Sequence, residues 1–73
     1  MTQIETILSD IRPEFDFTAS DDFIADGMLD SLDVLTLVSN LNNTFSISIK
    51  GADIIPEHFR NLAAIQELVG KYR

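Results

Sequence analysis

The stretch Asp30-Ser31-Leu32-Asp33-Val34-Leu35-Thr36-Leu37-Val38-Ser39-Asn40-Leu41-Asn42-Asn43-Thr44-Phe45 decides the fold. Val34, Leu37, Val38, Leu41 and Phe45 recur at the three- and four-residue steps that align on one helical face. Asp30 and Ser31, just before them, are of the residue types that cap a helix start. The spacing therefore predicts the central core helix of a small domain. At about 100° per residue, Leu32 falls among Asp33, Thr36, Ser39, Asn40 and Asn43, away from the apolar stripe. Leu32 is expected to face outward.

Upstream, Thr2-Gln3-Ile4-Glu5 has the form of a capping box, and Ile4, Ile7, Leu8 and Ile11 share one face of a short first helix. Pro13 cannot continue the hydrogen-bond ladder, so this helix ends near Ile11 or Arg12. From Pro13 to Asp30 no helical period persists, yet Phe15, Phe17, Phe23, Ile24, Met28 and Leu29 are too apolar for a free linker and are expected to pin a long first loop to the core. A loop of this length in so small a chain is uncommon unless it is functional, and Asp26-Gly27 marks a turn before the core helix. Downstream, Ser46-Ile47-Ser48-Ile49 alternates briefly with nothing to pair with, and reads as an extended connector. Asp53 to Phe59 reads as one helical turn with Pro56 in its first-turn position and Ile55 and Phe59 as anchors. Asn61 caps a last helix with Leu62, Ile65, Leu68, Val69 and Tyr72 on its buried face. The expected architecture is all-α: a small antiparallel helical bundle with a short third helix. It occupies residues 1–73 as one domain.

Composition removes whole classes of function. With 45% hydrophobic and 23% charged residues the chain is globular, not disordered. Twelve acids against five bases give a net charge of −7, which repels phosphate backbones and anionic surfaces and excludes nucleic acid as a partner. The absence of cysteine excludes disulfides, thiolate metal sites and a cysteine nucleophile, so any thiol chemistry must be imported. The chain shows no secretion signal, and the charge-free stretch from Val34 to Ile49 is too rich in Ser, Thr and Asn to span a bilayer. A cytoplasmic monomer is expected.

The residues give little support to catalysis. His58 is the single histidine, sits beside Pro56 and Phe59, and reads as a turn histidine. A paired-carboxylate hydrolase needs a cleft deep enough to drive two carboxyl pKa values apart, which a chain this small is not expected to offer. A calcium loop fails on spacing: counting from Asp16 puts Asp21 where glycine is required, and counting from Asp22 puts Ile24 at a ligand position. Asp21, Asp22 and Asp26 could hold a divalent ion only loosely. Neither catalytic residues nor a metal site are therefore assigned. What stands out is Ser31, at the first turn of the core helix, between Asp30 and Leu32. In the plainest reading Asp30 or Ser31 is an ordinary N-cap. In the functional one, the positive end of the helix stabilises a phosphodiester on Ser31. No base lies nearby to activate the hydroxyl, so another protein would have to modify it.

On these residues the chain resembles an acyl carrier protein, whose serine carries 4′-phosphopantetheine in an Asp-Ser-Leu setting. The resemblance spans the short first helix, the acidic loop with Asp22-Phe23, Gly27-Met28-Leu29-Asp30-Ser31-Leu32-Asp33, the long helix to Phe45, the Ile54-Ile55-Pro56-Glu57-His58-Phe59 turn and the closing helix. It implies a four-helix bundle and a carrier without catalysis of its own. Ser31 matches the attachment serine, Asp30 the acid that helps a phosphopantetheinyl transferase dock, and Leu32 the exposed apolar residue read by partner enzymes. The arm, derived from coenzyme A, would supply the missing thiol. A loading enzyme, either an adenylating ligase or an acyltransferase, and a downstream transferase or synthase are the implied partners.

Two departures bear on subtype. Carriers of bacterial fatty acid synthesis have Gly-Xaa-Asp-Ser and acids along the outer face of the following helix. Here Gly27-Met28-Leu29-Asp30-Ser31 is one residue longer, and the helix after Asp33 shows Thr36, Ser39, Asn40, Asn42 and Asn43. Met1 to Asp33 holds nine acids and one base, net −8, while Val34 to Arg73 holds three acids and four bases, net +1. The pattern is similar to D-alanyl and other aminoacyl carriers and to free-standing carriers of specialised pathways. Partners are expected to grip Asp22, Asp26, Asp30 and Asp33 with Lys and Arg. An unmodified acidic interaction module, such as an adaptor or nucleic-acid mimic, is the alternative of a different class, and a lipid-sequestering bundle is a third.

Overall fold

In the computed structural model, which describes residues 3–73, four helices follow in order: α1 (Gln3–Ile11), α2 (Ser31–Phe45), α3 (Pro56–Phe59) and α4 (Leu62–Tyr72). Among the described residues there is no strand. The expected all-α bundle with a long first loop and a short third helix is what the chain forms. The capping box expected at Thr2 lies outside the described residues.

Ile4, Ile7 and Leu8 of α1, Leu37, Val38 and Leu41 of α2, and Ile65, Leu68 and Val69 of α4 meet in one core with Phe59 of α3. Each set repeats at helical spacing, so one face of each helix is buried against the others. The Arg12 N–H still donates to the Leu8 carbonyl at 2.9 Å, and Pro13 then stops α1. The end of α1 lies against the start of α2 through Arg12 and Asp33, and its beginning lies beside Phe45. The two helices are therefore antiparallel. α4 ends beside the end of α2, where the Arg73 guanidinium lies 5.3 Å from the Phe45 ring centre.

The loop between α1 and α2 is ordered by its own aromatics. Phe17 and Phe23 are buried and meet edge to face with centroids 4.9 Å apart. The Phe23 N–H donates to the Arg60 carbonyl, and the Phe23 carbonyl accepts from Met28 and Leu29 at 2.9 and 3.2 Å. Met28 and Leu29 are buried as well. Phe15 corrects the expectation: it is 37% exposed and only lies edge-on to Phe17, because the buried aromatic slot is already filled by Phe17 and Phe23. Gly27 has φ +72°, a backbone that an L side chain adopts with difficulty, and this turn redirects the chain toward Asp30.

After α2, Ser46 closes the helix in the left-handed region, and the half-buried Asn42 ties the connector down: its carbonyl accepts from Ile47 and its side-chain oxygen from Ile49, at 3.1 and 3.0 Å. The segment is a connector without a strand partner, as expected; Ile49 in it is buried, and it passes through a 3₁₀ turn at Gly51–Asp53. That turn is clamped to α4. The Tyr72 hydroxyl donates to the Asp53 carboxylate, Lys71 donates to both its oxygens at 3.1 Å, and the Tyr72 oxygen accepts from the Lys50 N–H at 3.1 Å. The Tyr72 hydroxyl first, and then Lys71, hold the Asp53 carboxyl below the usual aspartate range. His58 Nδ1 lies 2.7 Å from the Asp53 carbonyl, which gives this histidine a structural role in the turn. Pro56 opens α3 as expected, but Ile55 does not anchor it. Ile55 is the extended residue before the helix and is 37% exposed, whereas Phe59 is fully buried. A single four-residue helix has too little length for an i, i+4 pair to define a buried face. Asn61 caps α4 by accepting from Ala64 at 2.8 Å, and its amide also donates to the Asp21 carbonyl, which joins the loop to this helix start.

Candidate functional site

Asp30 is the residue before α2, with extended backbone, and Ser31 is the first residue of the helix. Asp30 and Asp33 form a reciprocal capping box: the Asp33 N–H donates to Asp30 Oδ1 at 2.9 Å, and the Asp30 N–H donates to Asp33 Oδ2 at 3.2 Å. Asp30, not Ser31, is thus the cap, and the Ser31 side chain is released from that duty. Ser31 is exposed. The Asp33 and Val34 N–H groups are taken by Asp30, which leaves those of Ser31 and Leu32, at the positive end of the helix dipole, to face an anion at this turn.

Arg12 completes the box. Its Nε donates to Asp33 Oδ2 at 2.8 Å, while one terminal nitrogen lies 3.5 Å from Asp30 Oδ2 and the other 3.7 Å from Glu14. Partial burial pushes the Asp33 carboxyl up, but the hydrogen bonds from Arg12 and Asp30 and the guanidinium charge outweigh it and hold the group below the usual range. The same hydrogen bond raises Arg12 further. Asp33, expected to face a partner, has its carboxylate committed within the box, with only 14% of its side chain exposed. Arg12 was not foreseen as a site residue. The one signal for it is that it is the single base among the first 33 residues.

Beside Ser31 opens a cleft of about 430 Å³, lined by Ile24, Leu29, Val34, Leu35, Ile54, Ile55 and Pro56 together with Asp30 and Ser31. The cleft is open and mostly apolar, not the deep pocket that paired-carboxylate chemistry requires. It lies between the loop, the start of α2 and the segment leading into α3, where the short connecting elements leave the core uncovered. Asp30 is its one carboxylate, so paired-carboxylate chemistry has no second partner there. Leu32 is 73% exposed, in line with the helical arithmetic, and Leu35, one turn on, is 56% exposed. Leu35 is not among the residues the sequence singles out; its signal is an apolar side chain lying off the buried stripe of α2.

Asp22 and Asp26 stay on the loop. The Asp22 carboxylate accepts from the Ala25 N–H at 3.0 Å, and Asp26 accepts from the Ser20 hydroxyl. Asp22 lines a shallow depression with Glu57 and Arg60 whose wall, Ile24 and Pro56, it shares with the cleft. Among the described residues no group of three His, Cys, Asp or Glu could hold a metal ion, so even the loose divalent site at Asp21, Asp22 and Asp26 is not formed.

The four helices thus present an exposed serine at the first turn of the longest of them, α2. The family model of the phosphopantetheine attachment site matches residues 2–69, so the chain belongs to the phosphopantetheine-binding carrier family. Comparison with curated proteins and with solved structures gave no match. Members of the family carry 4′-phosphopantetheine covalently and serve transferases and synthases without being catalysts. Membership decides for the carrier over the unmodified acidic module. Among the described residues no helix is long and apolar enough to cross a membrane.

Proposed function

We propose that 4′-phosphopantetheine is attached to Ser31 and that the chain presents an acyl or aminoacyl group, held as a thioester, to partner enzymes. The observation that carries this reading is the exposed Ser31 at the first turn of α2, with capping assigned to Asp30 and Asp33. In the attachment step, Ser31 Oγ forms a bond to the pantetheine-bearing phosphorus of coenzyme A. The pyrophosphate linkage breaks, the adenosine bisphosphate half leaves, and the serine proton passes to a base of the transferase. When bound, the arm supplies the thiol that the cysteine-free chain lacks. The protein's own residues hold the serine at a helix start that favours the phosphodiester, and shape the apolar cleft beside it.

The cargo we favour is an aminoacyl group or the acyl group of a specialised pathway. Met28 and Leu29, the residues that lengthen the Gly27-to-Ser31 spacing, are both buried, so the extra residue belongs to the packing that sets the start of α2. Past Asp33, α2 has no acid on its outer face. The test is the intact mass of the protein purified from its native cell, followed by mass analysis of what mild thioester cleavage releases. An aminoacyl or short specialised acyl group supports the subtype; a long unbranched fatty acyl series overturns it while leaving the carrier reading intact.

Partner recognition is proposed to divide between charge and apolar contact. Asp22, Asp26 and Asp30 would meet Lys and Arg, Asp33 would act through the box, and Leu32 would pack against the partner. Leu32→Ala should leave the unfolding free energy unchanged within about 0.5 kcal/mol, since it sits exposed on the surface, yet loading by the cognate enzyme should fall. Charge reversal at Asp26 should slow association and weaken its salt dependence, because rim charges act on encounter rate. Loading kinetics at two salt concentrations decide: equal salt sensitivity in wild type and Asp26→Lys removes the loop from the interface, and unchanged loading of Leu32→Ala removes that residue.

A further inference from the structure

We propose that Arg12 is a positioning residue for the modification of Ser31, an inference that rests on Ser31 being the attachment point. Arg12 directly follows α1, lies 21 positions from Asp33 in sequence, and still makes the shortest contact to it at 2.8 Å. The carboxylate it holds is the one that receives the Asp30 N–H, and the same guanidinium reaches Asp30 Oδ2 at 3.5 Å. Ser31 stands between the two acids that Arg12 grips. Without that grip, Asp30 and Asp33 face each other as like charges around one serine, and the box loses the cation that sets their orientation. With it, the box has one arrangement, and the serine is offered to the transferase at one angle to the axis of α2. Arg12 itself points into this box and is only partly exposed, so its effect on the reaction runs through Asp33 and Asp30.

This predicts a specific kinetic pattern. Misorientation of a bound nucleophile lowers turnover, whereas loss of a direct enzyme contact raises KM. With coenzyme A, Mg²⁺ and a broad-specificity phosphopantetheinyl transferase, Arg12→Gln should lower kcat for arm transfer about tenfold with KM for the carrier changed less than about twofold. Asp33→Asn should do the same, and the double variant should lose little more than either single one, because both remove one coupling. Arg12→Lys keeps the charge without the two-acid fork and should fall between wild type and Arg12→Gln. Circular dichroism at the assay temperature confirms that each variant is folded, and Asp33→Asn and Arg12→Lys keep the question answerable if Arg12→Gln is not. An effect on KM alone, additive losses, or unchanged kinetics in a folded variant overturns the role of Arg12. Failure of the wild-type chain to take up the arm instead overturns the assignment of Ser31, so the two failures are distinct.

Discussion

Phe23→Ala should destabilise the protein by about 3–5 kcal/mol, the range for deleting a buried aromatic ring. The ring is fully buried, fills the slot beside Phe17, and sits where the loop's main chain is bonded both to Arg60 and to its own continuation at Met28 and Leu29. At ordinary stability per residue, a folded chain of 73 residues has roughly 4–11 kcal/mol, so this one change removes a large share of it. The consequence reaches the site, because Leu29 leads directly into Asp30 and Ser31. Phe23→Leu keeps an apolar side chain in the slot but loses the edge-to-face pair with Phe17, and should cost less than Phe23→Ala. Urea denaturation of both variants checks this. A loss of unfolding free energy below about 1 kcal/mol for Phe23→Ala would show that the loop is not pinned through this ring, and the account of how Ser31 is positioned would lose its support.

Much of this architecture is legible in the residues. The stripes of α1, α2 and α4, Pro56 at the start of α3 and Asn61 as a cap all follow from local rules, because each depends on residues within one or two turns of one another. Ser31 and Asp30 were legible for the same reason: a cap and its neighbour are adjacent in the chain. What could not be read depends on pairing across the fold. Arg12 meets Asp33 only because α1 is antiparallel to α2, and Asp53 meets Tyr72 and Lys71 across 19 and 18 positions, with no periodicity to announce either contact. Ile55 and Phe15 were misplaced because an apolar residue outside a long helix carries no face of its own; which of several such residues is buried depends on which slots the core leaves open. The cleft beside Ser31 belongs to this second kind, since it is a gap between three segments and a property of none.

On the proposed assignment the loss of Ser31 should abolish modification entirely, because the arm would be bonded to that one oxygen and, among the described residues, no other hydroxyl stands in the first turn of α2. Thr36 and Ser39 are exposed hydroxyls on the same helix, but both lie beyond its first turn: Thr36 donates to the Leu32 carbonyl at 3.1 Å, and neither has a capping box beside it. Incubation of the protein with coenzyme A, Mg²⁺ and a broad-specificity phosphopantetheinyl transferase, followed by intact-mass measurement, tests the central claim most directly. Wild type should gain the mass of one 4′-phosphopantetheine, Thr36→Ala and Ser39→Ala should gain the same, and Ser31→Ala should gain none. An unchanged wild-type mass under conditions where the transferase modifies another carrier, or a gain of one arm by Ser31→Ala, would contradict the account.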